Sequence, residues 1–309
     1  MTTPKRDFVS IMDWSSDALW DILELSAKMK QSPVHYYQAL YRKAVAMIFE
    51  KQSLRTHVTF DIGIDQLGGH CVYLGQSDVG LGTRESLYDI AKNMERWVDA
   101  VVLRTYAHET CTAMAAYMNI PVINALTDRE HPCQAVGDLF TIRERLGGLA
   151  GRKLVFVGAG NNVCHSLMLI AAKFGMQFIA ASPPGYHPDK SIVDVARRDA
   201  GASGGSVALL ESAEQAVRDA DIVYTDVWVS MGQEAEREER LAAFRRFQVN
   251  AQLMRMAKPT AVFMHCLPAH RGEEVTDEVI DSPQSIVFDQ AENRLHTEKA
   301  ILYALLHHT

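Results

Sequence analysis

Apolar positions along this chain follow two different periods in turn. Ala18, Leu19, Ile22, Leu23 and Leu25 share one face of a 3.6-residue period, so residues 15–29 read as an amphipathic helix that Ser15 or Ser16 can cap. Short, solid apolar runs follow: VAMIF at 45–49, HCVYL at 70–74, AVVL at 100–103 and PVIN at 121–124. Each predicts a buried strand, and helical stretches from Ser53, over 85–97 and over 110–118 lie between them. A glycine-rich stretch, GGLAG at 147–151, interrupts the alternation. Strands then resume at 153–157, 177–181, 207–210, 221–225, 261–265 and 286–289. Helices are expected from Asn162, over 191–198 and over 213–219, with a closing helix over about 297–307. Strands alternating with helices imply parallel sheets. The expected fold is α/β, with two domains, each a mostly parallel sheet flanked by helices. The boundary falls in the glycine-rich stretch, giving residues 1–147 and 148–309. The active site is expected in the inter-domain cleft, and the closing helix is expected to pack back on the first domain.

Length and composition narrow the function. The 309 residues suit two domains of ordinary size, and 48% hydrophobic with 22% charged residues describes a folded chain. A net charge of −7 without a Lys/Arg run argues against nucleic-acid binding, which depends on neutralising phosphates. No apolar run approaches the roughly 20 residues of a membrane span, and the N-terminal residues hold no uninterrupted signal-peptide core. Cys71, Cys111, Cys133, Cys164 and Cys266 are odd in number, widely spaced and form no CxxC pair. That pattern supports neither a disulfide framework nor a zinc knuckle, and it suits the cytoplasm.

The clearest chemical signal is FEKQSLRT at 49–56, where a strand passes into a helix. The N-terminus of a helix offers unpaired N–H groups and partial positive charge. Ser53, Arg55 and Thr56 would add donors, which together make a phosphate site without a glycine-rich loop. Read alone, the same residues serve equally as an ordinary Ser cap beside a surface Arg. Arg104 ends the strand AVVL, His131-Pro-Cys-Gln134 opens a helix, and His265-Cys-Leu-Pro268 follows AVFMH. Each alone fits a structural role as well as a ligand role. GAGNNVCHS at 158–166 lacks the third small residue of a dinucleotide fingerprint.

Taken in order, FEKQSLRT, QLGGH, LGTRES, HPCQ, GAGNNVCHS, DVWVSMGQE, HCLPAHRGEEV and ENRLHTEKA resemble the aspartate/ornithine carbamoyltransferase family over nearly the whole chain. The resemblance implies transfer of a carbamoyl group from carbamoyl phosphate to an amine, with no metal, no organic cofactor and no covalent intermediate. Catalysis then rests on positioning and on stabilising developing charge. By the same resemblance, Ser53, Leu54 (through its backbone), Arg55 and Thr56 hold the phosphate. Arg104 contacts phosphate and carbonyl oxygen, His131 and Gln134 bind the carbamoyl end, and Arg294 reaches in from the closing segment. Asn162, Asp226, Ser230 and Met231 clamp the amino-acid end of the acceptor, while Cys266 and Leu267 lie beside its reacting amine. Arg55, Arg104, His131 and Cys266 are the residues expected to carry catalysis.

The acceptor follows from differences within the family. Relatives that use aspartate place an Arg after the Leu-Pro turn, where this chain has Ala269; putrescine would need no clamp for an α-carboxylate and α-amine, so the SMG loop argues against it; and relatives that use acylated ornithine lack that loop. Ornithine, giving citrulline in arginine metabolism, is the expected acceptor. The alternatives are a related amine or a non-catalytic paralogue that binds a phosphate ligand. Three positions depart from the family pattern: His57 stands where Arg is usual, Gly80 where a Gln or His reaches into a neighbouring subunit, and Ala159 where Asp is common. Gln76 is a substitute candidate for that reach. The resemblance further implies a homotrimer. Residues 233–247, rich in Glu and Arg, read either as a mobile lid or as a solvated charged helix.

Overall fold

The computed structural model describes residues 5–230, 232 and 234–307. The chain divides into two compact units, residues 1–140 with 292–309, and residues 141–291. The division falls inside the helix Pro132–Leu146.

The first unit contains β1 (Ala44–Phe49), β2 (His70–Gly75), β3 (Ala100–Arg104) and β4 (Val122–Leu126). They pair in the order β2-β1-β3-β4, all parallel. β1, β3 and β4 are almost wholly buried, which is why their sequences are solid aliphatic runs without alternation. Helices Leu87–Trp97 and His108–Tyr117 bury Ile90, Ala91, Met94, Cys111 and Met114 against this sheet. The second unit contains β5 (Lys153–Val157), β6 (Gln177–Ala181), β7 (Ser206–Leu210), β8 (Ile222–Thr225) and β9 (Val262–His265), ordered β7-β6-β5-β8-β9 and again parallel. The helix Asn162–Lys173 is buried all round from Val163 to Ala172, so it is a core helix with no polar face.

In each sheet the chain leaves the first strand to one side and later returns to the other. β1 lies between β2 and β3, and β5 lies between β6 and β8. Such reversals open a crevice at the carboxyl ends of the strands, where parallel sheets bind ligands.

Two sequence expectations need correction. Residues 286–289 are not a strand; only Ser285 bridges to Phe263, and a helix runs from Val287 to Leu306. The closing helix therefore begins well before Thr297. Between residues 290 and 299 it buries Gln290, Asn293, Arg294, Thr297, Glu298 and Lys299, so a polar face points inward and the apolar period that reveals a helix is missing there. The charged stretch after Gln233, itself outside the described residues, contains the helix Arg237–Phe244, anchored by buried Phe244. One pairing had no sequence signal. Phe8 bonds through its backbone to Val122 and Asn124, extending the β4 edge with the N-terminal segment.

Candidate active site

In the first unit, the expected phosphate residues gather at the carboxyl ends of β1, β3 and β4. Ser53 caps the helix Leu54–Gln66, its hydroxyl accepting from the Thr56 amide at 3.3 Å. Arg104 is the last residue of β3, in register with Phe49, the last of β1, and its carbonyl accepts from the Glu50 amide at 2.8 Å. His131 immediately precedes the helix Pro132–Leu146. The preceding turn is held by Glu130, which is fully buried and accepts from Ser10 Oγ and from the Ile11 amide.

His131 is buried, and its pKa lies well below the ordinary imidazole value. Burial is the main cause, followed by the positive charges of Arg294, Arg104 and Arg55. A proton added to this ring would be desolvated and would face three guanidinium groups, so His131 stays neutral and able to donate one hydrogen bond.

Arg294 is buried in a network of its own. Its Nη1 donates to Gln134 Oε1 at 2.5 Å, its Nη2 to Thr56 Oγ1 at 3.2 Å, and its Nε to Glu298 Oε1 at 2.9 Å. Gln134 in turn donates to Asp138 Oδ1 at 2.8 Å. Arg294 thus ties Thr56 to Gln134, and Glu298 balances its charge. Neither Glu298 nor Asp138 stood out in the sequence. Their signal was the spacing of four, Arg294 to Glu298 and Gln134 to Asp138, which on a helix brings side chains together.

The departures at His57 and Gly80 have structural accounts. His57 stacks on Tyr73 of β2, with ring centroids 3.9 Å apart, and meets Phe49 edge-on. It joins the helix to the edge strand. Gly80 ends the short helix Gln76–Val79 in the left-handed conformation at φ 60°, where a Cβ would crowd Thr83 and Arg84. Gln76 is exposed at the start of that helix.

In the second unit, residues from the carboxyl ends of β5, β8 and β9 converge on Asp226. Asn161 caps the helix Asn162–Lys173 through its Oδ1, and its Nδ2 donates to Asp226 Oδ2 at 2.7 Å. The Cys266 thiol donates to Asp226 Oδ1 at 3.1 Å, and the Val227 amide donates to the same oxygen at 2.8 Å. Asn162 bonds its own helix at the Val163 amide. Asn161 therefore joins the Asp226 cluster, and the sequence reading singled out only its neighbour. Ser230 is half-buried in the loop after β8, and Met231 lies outside the described residues. Leu267 holds φ 57° and its bond to Pro268 is cis. Asp226, His265 and Cys266 bring ligating atoms within 4.8 Å of one another. Both His265 ring nitrogens are nevertheless engaged, with the Leu267 amide and with Glu274, so a metal there would displace one of them.

Basic and hydroxyl side chains thus gather beside a helix N-terminus at the strand ends of one parallel sheet, and a carboxylate with its donors at the strand ends of the other, the arrangement of a two-unit α/β protein with polar groups at the carboxyl ends of both sheets. Residues 6–144 match the family model described as the aspartate/ornithine carbamoyltransferase carbamoyl-P binding domain, and residues 150–305 match its Asp/Orn binding domain. The ornithine carbamoyltransferase of Symbiobacterium thermophilum is 52% identical over 309 residues, covering 99% of this chain and 100% of its own. The anabolic ornithine carbamoyltransferase of Pyrococcus furiosus is 50% identical, covering 96% of this chain and 95% of its own. The solved structure of ornithine carbamoyltransferase from Pyrococcus furiosus superposes with a TM-score of 0.95 at 48% identity, covering 99% of this chain and 98% of that one. The chain belongs to the aspartate/ornithine carbamoyltransferase family.

Proposed function

We propose that this protein transfers the carbamoyl group of carbamoyl phosphate to the side-chain amine of L-ornithine, giving L-citrulline and phosphate. The observation that carries the reading is the environment of His131, a buried neutral imidazole acted on by Arg55, Arg104 and Arg294 beside the N-terminus of a helix. That is a setting for a doubly negative leaving group with a carbonyl next to it. In this reading Ser53, the Leu54 amide, Arg55, Thr56 and Arg104 take the phosphate. His131 and Gln134, steadied by Arg294, take the carbamoyl end. Asp226 pairs with the α-ammonium group, Asn162 with the α-carboxylate, and Ser230 and Met231 complete the clamp.

The δ-amine is protonated at neutral pH, with a pKa of roughly 10, and attacks only after losing that proton. It adds to the carbonyl carbon, His131 and Arg104 stabilise the tetrahedral oxyanion, and phosphate leaves with the bridging oxygen. Cys266 and Leu267 line the path of the amine. No covalent enzyme step is required.

Arginine biosynthesis in the cytoplasm is the setting we infer. Five free cysteines suit a reducing compartment, and the Pyrococcus furiosus relative is named anabolic. Among the described residues, no helix is long and apolar enough to cross a membrane. A homotrimer is the proposed assembly. Leu54, Val58 and Ile62 lie four apart on one helix face and are 73%, 49% and 41% exposed, an apolar stripe suited to a second copy. The test is a citrulline-forming assay with carbamoyl phosphate and a panel of ornithine, aspartate, putrescine and acetylornithine. Turnover with ornithine alone is expected, and no turnover with ornithine would overturn the reading.

A further inference from the structure

The loop after β9 carries three ligand-bearing side chains within five residues, His270, Glu273 and Glu274. One nitrogen of the His and one oxygen of each carboxylate lie within 4.8 Å of one another. His270 Nδ1 is 3.9 Å from Glu273 Oε2 and 3.9 Å from Glu274 Oε2. Both separations are too long for a hydrogen bond.

Acidic groups near a His are common on protein surfaces, but Glu274 is not on the surface. Its side chain is fully buried, and its two oxygens have different surroundings. Oε1 accepts from the His270 amide at 2.6 Å and faces His265 Nε2 at 3.1 Å. Oε2 is shielded from water and has no hydrogen-bond partner among the described residues, and it is the oxygen that faces His270. Glu273 repeats the arrangement. Its Oε1 accepts from Arg237 Nη2, while its Oε2 is shielded, without a partner among the described residues, and aimed at the same ring nitrogen. Buried acceptors with no donor are rare, and an ion is one of the few groups that accounts for them. A buried carboxylate also calls for a nearby cation, and no Lys or Arg pairs with Glu274 among the described residues.

The backbone that presents these groups is fixed. Gln248 Nε2 donates to the Gly272 and Glu273 carbonyls at 2.9 Å each, and the Val249 amide donates to the Glu274 carbonyl at 2.8 Å. Two carboxylate oxygens are therefore held in place, and the half-exposed His270 ring is free to adjust to them.

We propose that His270, Glu273 and Glu274 form a divalent-cation site suited to zinc. One imidazole nitrogen and two carboxylate oxygens are a donor set that zinc accepts, with water as the fourth ligand on the open His270 side. Bonds of about 2.0–2.2 Å in a tetrahedron set donor atoms roughly 3.4 Å apart, so the His270 ring closes on each oxygen by about half an ångström. The ion neutralises Glu274 and ties both ends of the loop segment 270–274 together. It takes no part in the carbamoyl transfer proposed above, and the site stands or falls independently of that reading.

The test is calorimetric titration of untagged, chelator-treated full-length protein with zinc, and absorption spectra with cobalt to report the donor atoms. Wild type is compared with the double variant His270→Ala, Glu273→Gln and with Cys266→Ala, because Asp226, His265 and Cys266 form a second group of possible ligands. Wild type and Cys266→Ala should bind the first equivalent alike, and its cobalt spectrum should lack a thiolate charge-transfer band. The double variant should bind at least about 100-fold more weakly, since it loses two ligands where losing one outer partner already costs 10- to 100-fold. Zinc should raise the unfolding temperature of wild type and leave that of the double variant unchanged. Should the double variant not fold, His270→Gln alone carries the comparison. No binding by wild type, equal affinity in the double variant, or a first equivalent that shows the thiolate band and is lost in Cys266→Ala would each overturn the proposal.

Discussion

Two residues show how charge and burial set this chemistry. In the proposed site Arg55 holds the phosphate through charge-assisted hydrogen bonds, a type worth roughly 1.5–3 kcal/mol, so Arg55→Ala should lower kcat/KM for carbamoyl phosphate by roughly 10- to 150-fold. Initial rates at varied carbamoyl phosphate and saturating ornithine check this, and near-normal turnover would remove Arg55 from the phosphate site. His131 illustrates the cost of a neutral imidazole. Its pKa is depressed in the folded chain, as is that of His296, which is lowered to about 4 by burial and by Lys299 and Lys30. Below about 6.5 the unfolded chain takes up protons that these folded rings refuse, so stability falls with pH from about 6.5 downward. For His296 the loss continues to about 4. Urea unfolding across that window should show this slope, and His296→Gln, outside the proposed site, should flatten it. An unchanged slope in that variant would rule His296 out as a contributor.

At the scale of elements, the turns after the strands decide the site. Gly160 lies between β5 and the helix Asn162–Lys173, where a Cβ would sit 2.0 Å from the Pro188 nitrogen and 2.4 Å from the His187 carbonyl carbon. Those neighbours are backbone atoms and cannot swing aside. Gly160→Ala should therefore cost about 1–3 kcal/mol by overpacking, and it should weaken ornithine binding more than carbamoyl phosphate binding, because Asn161 follows directly. Calorimetric unfolding together with the two KM values would test both parts, and a variant of wild-type stability would contradict the close approach. The helix Val287–Leu306 makes a different point. Glu298 is the carboxylate partner of the buried Arg294, and removing one member of a buried pair typically costs about 3–5 kcal/mol. Glu298→Leu should show a loss of that order in denaturant unfolding, and a loss below about 1 kcal/mol would mean that Arg294 is balanced elsewhere.

For the whole molecule, assembly is the property to test. Val58 and Ile62 stand exposed on the helix that also carries Arg55 and Thr56. Charges on that stripe would oppose burial against another copy. Val58→Glu with Ile62→Glu should shift the species seen in sedimentation velocity from trimer to monomer. A wild-type protein that sediments as a monomer would remove the basis for the proposed trimer.

By itself the sequence determined the α/β class, the strand runs except the last one expected, and the family. Solid aliphatic runs leave few alternatives to buried parallel strands, and separate motifs in a fixed order are specific where each alone is not. SLRT, Arg104 and HPCQ were legible through the order of the motifs and not singly, and folding places them beyond the ends of parallel strands, where such sheets expose ligand residues. Only the tertiary structure decided which polar groups serve which. The placements of Glu298 and Asn161 depend on partners brought close by folding, Arg294 with Thr56 and Gln134 for the first network and Asp226 for the second. The inward polar face of the last helix stayed hidden for the same reason. A buried polar side chain is stabilised by its hydrogen-bond partner, and a periodicity of apolar residues carries no record of that partner.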